Sequence, residues 1–279
     1  MKPVLSLDRI ALASYSFHGM LHEGVCDVFT YINLLRDHYR VDWADIWTGF
    51  IPTTDLGFSA KVRTALDAAG LRLANLCVDG PHLWCDDPAE RVAHRETMLA
   101  YIEVGRVLGA KTIRIDFGGK EGHTMPNEAF DYLVKTYKEY CAICGDLDIQ
   151  IGPENHWGWD RVPDYLDRVR AAVDHPAYGH LFHFANFFDE PERGLETVLK
   201  YAMHTHIAAN TLPVAKELVR RLHAAGYVGA YSVEHHSGKF ERVRVDWQLG
   251  AVRNLISELV EEDCDAPAKP DYITSLYHR

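Results

Sequence analysis

The sequence predicts an α/β protein built as a single (β/α)8 TIM barrel. Eight short apolar runs of β type alternate with longer stretches of helical periodicity along most of the 279 residues, which is the pattern of repeated βα units on a parallel sheet. Eight such units close into a barrel more readily than into an open sheet, and a chain of this length fits one barrel. No glycine-rich phosphate loop follows the first strand, which disfavours an open dinucleotide-binding sheet.

The strands and helices follow one another regularly along the chain. The predicted strands are RIALASYS (9–16), WADIW (43–47), LRLANLCV (71–78), KTIRIDF (111–117), DIQIGPE (148–154), HLFHFAN (180–186), AMHTHIA (202–208) and GAYSVEH (229–235). The clearest helix spans 86–109, with Asp87 and Pro88 at its start and Gly109 at its end. TALDAAG (64–70) and RRLHAAG (220–226) also close on glycine. We expect the barrel to occupy residues 1–260 and a short C-terminal extension, which loses the pattern, to occupy residues 261–279.

Composition narrows the classes of partner. The formal net charge is −11, which argues against a nucleic-acid backbone or an anionic membrane surface as a ligand. The start MKPVLSLDRI lacks the features of a signal peptide, and no apolar run approaches the length of a membrane span. The six cysteines are scattered, which suggests reduced thiols. We therefore expect a cytoplasmic protein with neither a nucleic-acid nor a membrane partner.

Polar residues mark the ends of four consecutive predicted strands. Glu154 ends the fifth strand, within IGPENHWGW (151–159), and the next three strands carry His183, His206 and Glu234 in turn. The carboxyl ends of barrel strands meet at one mouth, so these side chains are expected to converge. Two carboxylates and two imidazoles are a ligand set for a divalent metal, with oxygen favouring Mn²⁺ or Mg²⁺ and nitrogen favouring Zn²⁺, Fe²⁺ or Co²⁺. The alternatives are buried ion pairs for the glutamates and hydrogen-bonded core residues for the histidines.

These motifs, taken in order, resemble a known family. ENH after the fifth strand, H-x-H in the seventh and SVEHH in the eighth are similar to those of the xylose isomerase-like TIM barrels, over about residues 8 to 260. The family includes sugar isomerases, ketose 3-epimerases, dehydratases and, more distantly, endonuclease IV. The resemblance implies one divalent metal ion, such as Mn, Zn, Mg or Co, and a homo-oligomer.

The same resemblance implies a role for individual residues. Glu154, His206 and Glu234 match metal ligands of the family. The fourth ligand is usually an aspartate, and this chain has His183 in its place, which removes one negative charge. Either the preference shifts toward nitrogen-binding ions, or the metal binds weakly or is lost. Ala208 and Ala209 stand where many members carry a lysine and an aspartate.

Further polar and aromatic residues are expected to ring the same mouth and bind a carbohydrate. Sugars present apolar faces edged by hydroxyl groups, which suit indoles for stacking and polar groups for hydrogen bonds. For each tryptophan, packing at the barrel rim is the alternative interpretation. The predicted substrate-binding residues are His18, Trp47, His82, Trp84, Asp116, Trp157, Asn186 and His236.

A metal beside two glutamates suits proton transfer next to a carbonyl through an enediolate. We expect Glu154 and Glu234 to act as the acid/base pair and His156 to orient a substrate hydroxyl. The predicted function is therefore a metal-dependent isomerase or epimerase of a keto-sugar or sugar derivative. A dehydratase or β-eliminating lyase, and a sugar- or partner-binding barrel without turnover, are the alternatives. Phosphodiester hydrolysis is disfavoured because IRIDF (113–117) holds no histidine and the chain is acidic.

Overall fold

The structure is a computed structural model that describes residues 4–120, 122–187 and 190–262. Eight strands of these residues form one parallel sheet in the order β5-β4-β3-β2-β1-β8-β7-β6. The strands are β1 (Ile10–Ala13), β2 (Trp43–Trp47), β3 (Arg72–Cys77), β4 (Thr112–Arg114), β5 (Gln150–Gly152), β6 (His180–His183), β7 (Ala202–Ala208) and β8 (Tyr231–Glu234).

The two outer strands of this sheet, β5 and β6, also approach each other. The amide of Ile151 donates to the carbonyl of Ala177 at 2.8 Å, and that of Leu181 donates to the carbonyl of Pro153 at 2.9 Å. These bonds bring the edges of the sheet together into a nearly closed barrel. The predicted (β/α)8 fold is confirmed.

Helices connect the strands around the outside of the barrel. They are α1 (His18–His22), α2 (Val28–Asn33), α3 (Leu56–Ala68), α4 (Pro88–Leu108), α5 (Asn127–Asp146), α6 (Pro163–Val173), α7 (Pro191–Tyr201), α8 (Leu212–Ala224) and α9 (Glu241–Glu261). In α4 the carboxylate of Asp87 accepts the amide of Ala89 at 2.8 Å, and Gly109 ends the helix with φ 73°. The start and stop signals of this helix are therefore confirmed.

Several strands end earlier than the sequence predicts. β4 stops at Arg114 and β5 stops at Gly152, so Asp116 and Glu154 lie beyond the ends of these two strands. The reason is that side chains replace ladder partners at this end of the barrel. The amide of Glu154 donates to Oδ1 of Asp116 at 3.1 Å, and the amide of Phe117 donates to the carboxylate of Asp160. The residues that end the predicted strands therefore belong to the mouth of the barrel.

The other predictions concern the surroundings of the barrel. Cys141 and Cys144 are free, buried side chains of α5, in line with the prediction of reduced thiols. Among the described helices, none has the length and apolar character needed to cross a membrane. α9 runs to Glu261, and residues 263–279 of the predicted extension, with Cys264, lie outside the described residues.

Candidate metal centre

Four predicted ligands meet at the C-terminal end of the barrel. Nδ1 of His183 and Nδ1 of His206 each lie 2.9 Å from Oε1 of Glu154. Oε2 of Glu234 lies 3.4 Å from Nδ1 of His206 and 3.7 Å from Nδ1 of His183. One donor atom from each of the four buried residues lies within 4.8 Å of the others. Two carboxylate oxygens and two imidazole nitrogens at these separations fit the donor set of a divalent metal ion.

A buried carboxylate on β2 lies directly beneath this group. Oδ2 of Asp45 is 3.0 Å from Nε2 of His206 and 2.9 Å from Nε2 of His204, and it accepts the hydroxyl of Ser232 at 2.7 Å. Asp45 and His206, together with Cys77, form a second group whose donor atoms lie close enough to hold a metal. The two groups share His206, whose ring separates them.

Arg114 of β4 links Glu154 to two further carboxylates. Its Nε lies 3.1 Å from Oε2 of Glu154, and its Nη1 donates to Oδ2 of Asp116 at 2.9 Å and to Oδ1 of Asp79. The guanidinium is buried, so its charge acts at short range on all three partners. The two oxygens of Glu154 consequently face different groups: Oε1 faces the imidazoles and Oε2 faces the guanidinium.

The surrounding cations keep both glutamates ionised. Burial alone would raise the pKa of Glu154, but His206 and Arg114 hold it well below its usual range. Burial acts in the same direction on Glu234, yet His206 and the hydrogen bond from His236 lower its pKa to about 2. Both carboxylates are therefore charged at neutral pH, as metal ligands must be.

The two imidazoles differ from each other. Burial would lower the pKa of His206, but Glu234, Glu154 and Asp45 raise it well above its ordinary value. For His183 burial is the largest effect and lowers the pKa, although the hydrogen bond with Glu154 opposes it. In the metal-free protein His206 therefore holds a proton that a metal ion would replace, whereas His183 is neutral.

The donor group opens into a cavity of about 420 Å³, called the main cavity below. His156 and three of the predicted substrate-binding residues, Trp47, Asn186 and His236, line it. Nε2 of His236 lies 2.8 Å from Oε2 of Glu234. The amide nitrogen of Asn186 donates to the carbonyl of Asn155 at 2.9 Å, so this side chain also secures the loop that carries Glu154.

The other predicted substrate-binding residues lie around the main cavity without lining it. His18 stacks on Tyr15, with ring centroids 4.5 Å apart, and Tyr15 itself lines the cavity. Asp116 is fully buried and accepts the indole N–H of Trp157 at 3.3 Å. The remaining members, His82, Trp84 and Trp157, line a second cavity of about 660 Å³.

Several lining residues were not predicted from the sequence as part of the site. Those with polar side chains are Tyr15, Asp45, Cys77, Asp79, Arg114 and Asn210. Asp45 carried one signal, because a carboxylate inside the short apolar run WADIW is costly to bury without partners. The others are ordinary in their local sequence, and only their position in the barrel brings them to the cavity.

A family model described as "Xylose isomerase-like TIM barrel" matches residues 29–255. The chain belongs to the xylose isomerase-like TIM barrel family. The resemblance of the sequence motifs to this family is thereby confirmed. No curated protein matches the sequence.

Several solved structures share this fold at low sequence identity. A D-psicose 3-epimerase, determined in the presence of D-fructose, has a TM-score of 0.69 at 14% identity, covering 90% of this chain and 98% of its own. A xylose isomerase-like protein from Mycobacterium smegmatis, in complex with magnesium, has a TM-score of 0.64 at 16% identity and covers 90% of both chains. The probable 3-DHS dehydratase involved in petrobactin synthesis from Bacillus anthracis has a TM-score of 0.63 at 11% identity. The match covers 89% of this chain and 98% of the dehydratase.

Proposed function

We propose that this protein is a divalent-metal-dependent sugar isomerase or epimerase that acts on a keto-sugar or sugar derivative by proton transfer. The convergence of Glu154, His183, His206 and Glu234 at the mouth of the barrel carries the proposal. The group opens into a cavity of small-molecule size, and a D-psicose 3-epimerase that was crystallised in the presence of D-fructose shares the fold.

The donor set fits a metal with two positive charges. Glu154 and Glu234 supply two negative charges, and the two imidazoles supply neutral nitrogens once His206 has lost its proton. Mn, Zn, Mg and Co are the candidate ions, and the nitrogen ligands favour Zn or Co over Mg. When bound, such an ion would polarise a sugar carbonyl and a neighbouring hydroxyl group.

The chain's own residues would then move the proton. Glu234 is the more accessible glutamate, with 10% of its side chain exposed against 2% for Glu154. It is bonded to His236, whose side chain is 46% exposed, so a proton taken by Glu234 has a route to solvent. Glu154 is held by Arg114 on its other oxygen. We assign proton transfer to both glutamates, with Glu234 as the better placed of the two.

His156 and Trp47 are assigned to substrate binding. Nδ1 of His156 lies 3.5 Å from Oδ2 of Asp116, and 42% of its side chain is exposed, so the ring is oriented yet free to reach a substrate hydroxyl. Asp116 would act through this ring. Trp47 borders the main cavity and offers an indole face to the apolar side of a sugar.

The charges in the main cavity favour an unphosphorylated substrate. Arg114 is the one lysine or arginine among its described lining residues. This guanidinium is already shared by Glu154, Asp79 and Asp116. A phosphate group would therefore find no unshared lysine or arginine among the described residues that line this cavity.

Deuterium incorporation tests the proposal. The protein, loaded separately with Mn²⁺, Co²⁺, Zn²⁺ and Mg²⁺, would be incubated in D₂O with D-psicose, D-tagatose or D-fructose. We expect deuterium at a carbon beside the carbonyl, together with a new sugar, and loss of both in Glu154→Gln and Glu234→Gln. If the protein takes up metal but exchanges deuterium into none of these keto-sugars or their derivatives, the result would favour the alternative function, a sugar- or partner-binding barrel without turnover.

A dehydratase is the second candidate, because the probable 3-DHS dehydratase from Bacillus anthracis shares the fold. The same proton abstraction can be followed by loss of a β-hydroxyl group. The two reactions are separated by their products, since dehydration yields an unsaturated or deoxygenated compound. From the family resemblance we further propose a homo-oligomer, which light scattering of the purified protein tests. The cytoplasmic location stays a separate proposal.

A further inference from the structure

The carboxylate of Asp45 is surrounded by donors from three other strands. Oδ2 is contacted by Nε2 of His204 and Nε2 of His206, and it accepts the hydroxyl of Ser232. Oδ1 accepts the side-chain amide of Asn75 at 3.0 Å. Four polar groups contact this single buried carboxylate, three on Oδ2 and one on Oδ1, and together they fix its orientation.

The orientation of Asn75 is itself held from β4. The hydroxyl of Thr112 lies 2.7 Å from Oδ1 of Asn75, which leaves the amide nitrogen of Asn75 to face Asp45. This hydrogen-bonded group spans β2, β3, β4, β7 and β8, so the position of Asp45 is determined by the barrel rather than by one loop.

Both ring nitrogens of His206 face carboxylates, and the contact with Asp45 indicates which of them would give up its hydrogen to a metal. A carboxylate only accepts hydrogen bonds, so Nε2 of His206 must carry a hydrogen to bond with it. Nδ1 is the nitrogen left to bind a metal, and it already points at Oε1 of Glu154 and Oε2 of Glu234. A metal-binding histidine commonly donates its second N–H to a carboxylate, which sets both the tautomer and the ring orientation.

We propose that Asp45 is the positioning residue of the metal centre, holding His206 as the Nε2–H tautomer with Nδ1 directed at the ion, a role that rests on the proposed metal-dependent function. Asp45 acts through His206 and does not itself bind the ion.

The nearby group of Asp45, Cys77 and His206 suggests a competing role for Asp45 as a ligand of a second ion. The contacts favour the positioning role. Sγ of Cys77 lies 3.9 Å from Nε2 of His206 and is already contacted by the amide of Asn75 at 3.0 Å. A second ion would have to displace the bonds of Asp45 to His204, His206 and Ser232.

Cobalt titration of the purified protein tests the proposal. We expect the wild type to bind one equivalent of Co²⁺, and Asp45→Asn to bind it about 10- to 100-fold more weakly, because the amide no longer fixes the ring of His206. Asp160→Asn is the matched control. Asp160 is an equally buried aspartate that accepts the amide of Phe117, so this variant should retain wild-type affinity.

Three results would overturn the positioning role. Equal Co²⁺ affinity of folded Asp45→Asn and wild type would reject it while leaving the metal centre intact. Two equivalents of Co²⁺, with a thiolate charge-transfer band lost in Cys77→Ser, would make Asp45 a ligand instead. A wild type that takes up no Co²⁺ would reject the metal-dependent function as well.

A measurement on the wild type decides the matter if Asp45→Asn does not fold. The nitrogen resonances of His206 in the ¹⁵N-histidine-labelled, Zn²⁺-loaded protein can be assigned by comparison with His206→Gln. We expect a protonated Nε2 and a metal-bound Nδ1. A metal-bound Nε2 would contradict the positioning role.

Discussion

Arg114 and Glu154 form a buried ion pair beside the candidate metal centre, with Nε of the guanidinium 3.1 Å from Oε2 of the carboxylate. The same guanidinium contacts Asp79 and Asp116. The Arg114 guanidinium is thus paired with three carboxylates. It holds Oε2 of Glu154, while Oε1 faces the imidazoles of His183 and His206. The geometry of the proposed metal ligands therefore depends on a residue that need not touch the ion.

Replacing this cation should destabilise the protein. In Arg114→Met the buried carboxylates of Asp116 and Glu154 lose their counter-charge, so we expect the free energy of unfolding to fall by about 3 to 5 kcal/mol. Urea denaturation at neutral pH measures it. Arg95→Met, which breaks a surface pair with Glu139, is the control and should cost below about 1 kcal/mol. Equal losses in the two variants would show that the pairs of Arg114 are not specially stabilising.

The two glutamates should be needed for both metal binding and turnover. Glu154→Gln and Glu234→Gln each remove a negative ligand and a proton-transfer group. We therefore expect turnover to fall by about 10²- to 10⁴-fold and the metal content to fall as well. Steady-state kinetics and elemental analysis measure these. Glu217→Gln changes a buried glutamate of α8 that pairs with Arg220 and should leave both unchanged. Full activity in either active-site variant would refute the assignment.

Residue 183 should control the preference for the metal. His183→Ala should lower metal content, whereas His183→Asp adds a negative oxygen ligand and should shift the preference from Zn²⁺ or Co²⁺ toward Mn²⁺ or Mg²⁺. Competition titrations of the purified variants measure this. His180→Phe is the control, since His180 is a buried histidine of the same strand that packs beside Tyr178. An unchanged metal content in His183→Ala would mean that His183 is not a ligand.

Metal affinity should rise with pH because His206 must release a proton. The pKa of His206 is raised in the metal-free protein. Its contribution to the stability of that protein is therefore present below the pKa of about 6.5 that a histidine has in an unfolded chain, and it is lost as pH rises through the higher pKa of the folded state. Binding of an ion at Nδ1 should release about one proton near neutral pH. Calorimetry in buffers of different ionisation enthalpy counts that proton. Affinity that does not vary between about pH 6 and 8 would contradict the role of His206.

Much of the architecture could be predicted from local sequence. The alternation of apolar runs and helical stretches predicted the barrel, and one polar residue near the end of each of four consecutive strands predicted Glu154, His183, His206 and Glu234 as neighbours. Both predictions work because a barrel places the carboxyl ends of all its strands at one mouth. The extents of β4 and β5 could not be predicted in this way, because Asp116 and Asp160 take over the backbone amides at their ends.

The tertiary structure alone decided what supports and surrounds those four residues. Asp45 belongs to β2, yet it contacts His204 and His206 of β7 and Ser232 of β8, and Arg114 of β4 reaches Glu154 beyond β5. The contacts of Asp45 cross the interior of the barrel, where they depend on the stagger of strands that are distant in sequence. The sequence by itself determined the fold and the four candidate ligands, since these follow from local periodicity and order. The orientation and charge of the site depend on closure of the barrel, because buried charges act strongly only on the neighbours that packing brings to them.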